Sequence, residues 1–133
     1  MSELVPVVEI DGLMAELAAL AQISEAASPI VTRVVFSEAD LRARAFFKDL
    51  CLAAGLTIRE DAIGNTFVRW QGSAPEIDPV ATGSHIDAIP NAGRFDGVVG
   101  VLGGLEAIRA LQRAGRRPRR SLGRLPRRRR RGN

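Results

Sequence analysis

The stretch Gly83–Gly100, GSHIDAIPNAGRFDGVVG, carries the only histidine of the chain, His85, followed by Asp87 and Asp96. Upstream, DPVATGS reads as a short strand. Downstream, DGVVGVLGGLEAIRALQRAG places Val98, Val99, Leu102, Leu105, Ile108, Ala110 and Leu111 around much of a helix, which predicts a largely buried helix. The stretch therefore sits at the end of a strand and the start of a helix, where open α/β sheets tend to place their chemistry. In an extended chain His85 and Asp87 share a side. A loop containing Pro90 and Gly93 can return Asp96, immediately ahead of Gly97, to the same place. Convergence of the three side chains is the expectation. Imidazole nitrogen and carboxylate oxygen suit zinc, manganese or cobalt, and a carboxylate can bridge two ions about 3.5–4 Å apart. Each residue also has a plainer reading: a solvated histidine, an N-capping Asp96, and glycines that let a helix pack closely. The glycines do not form a phosphate loop, because the Lys-Ser/Thr of a P-loop and the G-x-G-x-x-G spacing are both missing.

Working outward, DGLMAELAALA sets Leu13, Met14, Leu17, Leu20 and Ala21 at helical spacing over 11–21. SEADLRARAFFKDLCLAAGL is a second helix. Ser37 and Asp40 resemble a capping box, Leu41, Ala45, Leu50 and Ala54 mark the expected apolar face, and Gly55 is the stop. LTIRED and NTFVRWQG are short runs rich in β-branched and aromatic residues, bounded by turn formers, and join DPVATGS as three strands. The order helix, helix, strand, strand, strand, helix predicts an α/β sandwich around a mixed sheet. Cys51, on the second helix, reads as a small buried apolar residue.

The chain has 133 residues, one domain or a piece of a larger one, and its 46% apolar content permits a real core. The net charge of +4 conceals a division. Residues 1–112 hold 8 Lys+Arg and all 15 acids, whereas residues 113–133 hold 11 arginines and no acid. The start, MSELVPVVEIDGL, has acids where a secretory leader carries basic residues, and no apolar run reaches membrane-spanning length, so a cytoplasmic location without membrane partners is expected. One cysteine excludes an internal disulfide and a cysteine-only metal site.

ATGSHIDAIPNAGRFDGVVGVLGGLEAIRAL closely resembles the metal-binding segment of the hydantoinase/carbamoylase branch of the M20 metallopeptidase-like amidohydrolases, which includes N-carbamoyl-L-amino-acid hydrolases and allantoate and ureidoglycolate amidohydrolases. VTRVVFSEADLRAR, AAGLTIREDAIGN and VRWQG extend the likeness over roughly Ile23 to Arg120. The resemblance implies part of the α/β sandwich of a two-metal, exopeptidase-like hydrolase domain. It implies that His85 ligates one of two divalent ions (zinc or manganese), that Asp96 bridges both, and that Asp87 is the catalytic-centre group that orients the site. It implies hydrolysis of a ureido or linear amide bond in a small molecule, with metal-assisted attack by water and a glutamate as base. A homodimer is implied only for the full-length protein.

The end of the chain departs from that pattern. Where the family continues with an apolar strand, a Glu-Glu pair and further histidines, this chain reads GRLPRRRRRGN, leaving two metal ligands. The expected division is residues 1–120 as the N-terminal part of the catalytic domain and 121–133 as an arginine-rich tail. Exposure of Val98, Leu102 and Leu105 and loss of catalysis are expected from the missing cover. The tail has two readings: a basic arm of a non-catalytic nucleic-acid-binding module, or an out-of-frame translation. GAG-GAG read one base late gives AGG-AGG, arginine for glutamate, and the absence of lysine from the tail favours the second reading. Translation of the coding DNA in its other frames should restore a strand followed by a Glu-Glu pair; stop codons in both frames would reject the idea.

Overall fold

The computed structural model describes residues 4–123; the arginine run of the tail lies outside them. Helix α1 spans Ile10–Ala21, α2 Glu38–Ala53 and α3 Val98–Arg113. The strands are β1 (Val31–Arg33), β2 (Thr57–Glu60), β3 (Thr66–Trp70), β4 (Ala88–Ala92) and β5 (Leu122–Gly123). They form two antiparallel sheets, β1–β4 and β2–β3–β5. The α/β class is as expected, but the single mixed sheet is not. DPVATGS contributes only Val80, which bridges Leu122 in parallel. Beyond that bridge Ala81–Ser84 stand exposed. Ser121 is buried and Leu122 pairs with Trp70, so the sheet reaches into the stretch assigned to the tail.

Local signals account for the helix ends. Ser37 Oγ accepts the N–H of Asp40 at 3.2 Å, as a capping side chain should. The Asp40 carboxylate turns back to the N–H of Phe36 at 2.8 Å, one residue earlier than a capping box would have it. At the other end Gly55 takes a positive φ of 74°, and Leu56 N–H returns to the Cys51 carbonyl at 3.0 Å. The buried face of α2 differs from expectation. Leu41 is 55% exposed and Ala45 is exposed, while Ala39, Ala43 and Cys51 are buried, with Phe46, Phe47 and Leu50 beside them. Ala43 joins Leu17, Leu20, Val98 and Leu102 in one cluster, and Phe46 and Phe47 bring the apolar bulk to that side of α2.

Helix α3 is the spine of two apolar clusters. Leu17, Leu20, Ala43, Val98 and Leu102 form one; Cys51, Leu56, Leu105 and Ile108 form the other, closed by Val68, Trp70 and Leu122 of the larger sheet. Val98, Leu102 and Leu105 are 2%, 0% and 3% exposed, which overturns the expectation that they lose their cover. Helices α1 and α2 shield them, and each such side chain contributes about 1.5–3 kcal/mol by leaving water. Val99 and Val101 lie on the other side. Val101 and Leu105, with Val68 and Leu122, line an open groove of about 530 Å³.

A buried acid ties the N-terminal segment to this spine. Glu106 Oε1 accepts the N–H of Glu9 at 2.9 Å and is paired with Arg113, while Arg109 reaches Glu16 on α1 at 2.7 Å. Burial raises the Glu106 carboxyl, but the Glu9 N–H and the Arg113 and Arg109 guanidiniums outweigh it and hold the group below the ordinary carboxylate range. A lowered folded value means that the stabilisation is complete above the unfolded-state value and is lost as pH falls through the folded one. Urea midpoints measured from about pH 6 down to about pH 3 should therefore fall more steeply for the native chain than for Glu106→Gln, and parallel curves would reject this role.

Candidate metal-binding site

The peptide Ser84–Asp87 leaves the groove and enters β4, and Asp96 stands just ahead of α3. His85 lies between the two aspartates. Its Nδ1 is 3.0 Å from the Asp87 carbonyl oxygen and 3.5 Å from Asp87 Oδ1; its Nε2 is 3.7 Å from Asp96 Oδ2. The three side chains are therefore brought to one place, but as two pairs sharing an imidazole rather than as one three-donor cluster. Among the described residues no group of three His, Cys, Asp or Glu side chains is arranged to hold a metal ion. Asp96 is not the helix cap. The cap position belongs to Gly97, without a side-chain hydrogen bond, and the Asp96 carboxylate remains exposed toward His85.

The donor chemistry fits part of a metal site. Two ligand atoms on a tetrahedral zinc lie about 3.3 Å apart, close to the separation of His85 Nε2 and Asp96 Oδ2. A ligating histidine commonly donates its other N–H to an oxygen, and the Asp87 carbonyl faces Nδ1. His85 and Asp96 could thus supply two corners of a coordination shell.

Glycines on α3 make the arrangement possible. A Cβ on Gly97 would stand 2.5 Å from His85 Nδ1, one on Gly100 would meet Ser84 Cβ at 2.7 Å, and one on Gly104 would touch Thr82 at 3.3 Å. Gly97 also has φ of 71°. The close-packing reading of GVVGVLGG is correct, and its packing partner is the segment that carries the histidine.

A residue passed over in the sequence lies beneath the site. Arg33 is 2% exposed, and its guanidinium donates to the carbonyls of Ile86 at 2.8 Å, Leu20 at 3.1 Å and Ile23 at 2.6 Å. Burial weakens its hold on its proton, a tendency countered by Asp40 and Asp87. The available signal was an arginine amid the β-branched run Val31–Val35. Cys51 is buried, and loss of hydration pushes its thiol up to about 12, consistent with a packing role.

No family model matches the chain. Comparison with known proteins is nonetheless informative. The chain is 53% identical over 115 residues to ureidoglycolate hydrolase of Arabidopsis thaliana, covering 86% of itself and 24% of that protein. The fold superposes on a hydantoinase/carbamoylase family amidase from Burkholderia ambifaria with a TM-score of 0.86 at 39% identity, over 89% of this chain and 28–29% of such structures. The chain is a relative of the hydantoinase/carbamoylase amidases. A structure of AtUAH in complex with glyoxylate gives the same TM-score of 0.86 at 52% identity, over 88% of this chain and 28% of that one. N-carbamoyl-L-amino-acid amidohydrolase of Rhizobium meliloti is 38% identical over 108 residues, covering 81% of this chain and 26% of that protein. Allantoate amidohydrolase of Bacillus subtilis is 34% identical over 103 residues, covering 77% and 25% respectively. The chain spans about a quarter of the length of the curated relatives it matches.

Within this amidase-like fold, Gly97→Ala should lower stability by about 2 kcal/mol or more, through the positive φ and the overlap with His85. Gly103→Ala has open space at the same helix and should gain up to about 1 kcal/mol. Urea unfolding of the two variants checks the contrast, and equal effects would reject the close-approach argument.

Proposed function

We propose that the chain forms the metal-binding part of an amidohydrolase that cleaves a non-peptide C–N bond in a small ureido or linear amide substrate. The observation that carries the reading is the orientation of His85, with Nδ1 engaged by Asp87 and Nε2 open toward Asp96. The names of the relatives, acting on ureidoglycolate, allantoate and N-carbamoyl amino acids, supply the substrate class. Zinc or manganese ions are the proposed cofactors, and when bound they would polarise the substrate carbonyl and acidify water. His85 contributes a neutral donor that adds no charge to the site. Asp96, exposed beside His85 Nε2, would act as the shared anionic ligand, offsetting the repulsion of two close cations. Asp87 holds the imidazole in register and, as a carboxylate 3.5 Å from Nδ1, favours a strongly donating ring. The exposed, glycine-lined approach along Thr82–Ser84 leaves room for a small polar substrate beside these groups.

The reading is tested by joining residues 1–120 in frame to the remaining part of a relative such as the Arabidopsis ureidoglycolate hydrolase. The hybrid should hydrolyse ureidoglycolate, allantoate or an N-carbamoyl amino acid only when a divalent ion is supplied. Asp96→Ala should reduce both bound metal and turnover more than Asp87→Ala, because it removes a ligand rather than a supporting contact. Undiminished turnover after exhaustive chelation would overturn the metal assignment, and equal metal content in the Asp96 variant would overturn the bridging role.

A further inference from the structure

We propose that Arg33 is a positioning residue for His85: by gripping the Ile86 carbonyl from inside the fold, it turns the next carbonyl, that of Asp87, outward to receive the His85 Nδ1–H and leaves Nε2 free toward Asp96. The inference rests on the reading of His85 as a ligand only for its functional consequence, since the geometry concerns the imidazole alone.

Successive carbonyls in an extended chain point to opposite sides. Ile86 O points inward, where the Arg33 Nε–H meets it at 2.8 Å; Asp87 O lies 3.0 Å from His85 Nδ1 on the outer side. The two carbonyls are one residue apart at the entry to β4, so holding Ile86 O restricts how Asp87 O can turn. Arg33 is itself held in place. Its Nη1 donates to Leu20 O at 3.1 Å, in the last turn of α1, and to Ile23 O at 2.6 Å, just past that helix. The guanidinium thus fastens the end of α1 to the His85–Asp87 peptide across the interior. Its planar fork serves several acceptors at once, which an ammonium on the same strand cannot do with the same geometry. A neutral imidazole carries one proton, and the nitrogen that keeps it is decided by the acceptor it meets. With Asp87 O fixed at Nδ1, the lone pair is left on Nε2, the nitrogen that faces Asp96.

Because His85 is the only histidine, its ring can be read without ambiguity in the whole chain. Two-bond 1H–15N correlation distinguishes the two tautomers of the neutral ring. The native chain should be mainly in the Nδ1–H form. Arg33→Met should shift the ratio toward Nε2–H by roughly threefold or more, and Arg33→Lys, which keeps the charge but lacks the Nε–H fork, should recover only part of the native ratio. Leu20→Ala, a core truncation, is the control: it should lower stability while leaving the tautomer unchanged. If Arg33→Met does not fold, Arg33→Lys carries the test alone. A native ratio in the folded Arg33 variants, an Nε2–H form in the native chain, or a tautomer shift in Leu20→Ala equal to that in the Arg33 variants would overturn the proposal. Zinc titration of the same samples, followed at Nε2, examines the ligand reading separately, and its failure would leave the tautomer result standing.

Discussion

Everything near His85 depends on how closely a helix can approach a strand-like backbone. Gly97, Gly100 and Gly104 form a strip along α3 with no side chains, and Thr82, Ser84 and His85 occupy the space that Cβ atoms would need. The cost of glycine in a helix, about 1 kcal/mol at each interior position, is offset by the burial of the same helix's opposite side, where Val98, Leu102 and Leu105 sit in the core. One helix thereby does two things. Its apolar face joins the two clusters, and its bare face brings Asp96 and His85 to neighbouring positions despite the loop between them.

The interior is polar at selected points, and each has a structural task. Arg33 fastens the end of α1 to the peptide after His85; Glu106 fastens the segment before α1 to α3; Asp40 joins the start of α2 to the chain ahead of it and to Arg44. In each case a buried charge is met by backbone groups or by an opposite charge, as the cost of burying it requires. The Arg33 and Glu106 links tie α1 and the segment before it to the rest of the fold, which the two short sheets do not do. The smaller sheet holds β1 and β4, and the larger holds β2, β3 and β5.

The parts legible in the sequence were those whose physics is local. Helical periodicity placed all three helices, and Ser37 and Gly55 marked the ends of α2, whereas the strand expected ahead of His85 is reduced to the single bridge at Val80. What depended on remote partners was less visible. β1 is three residues long, too short to show alternation, and β4 contains Pro90, which reads as loop. Leu41 looked like core because it is large and apolar, but the side of α2 turned inward is the one that carries Ala39, Ala43 and Cys51. Arg33 was overlooked because an arginine in a β-branched run ordinarily lies on a surface; its three acceptors come from distant parts of the chain.

Cys51 offers an internal clock. Its sulfur is buried between α2 and α3 under the floor of the groove, and its raised thiol value leaves it almost wholly unionised near neutrality. The side chain is fully covered yet stands against the groove, so a thiol reagent reacts only after neighbouring side chains move aside, and the speed of labelling reports how often the second cluster breathes. With one sulfhydryl in the whole sequence, that opening can be timed by mass alone, without adding a probe.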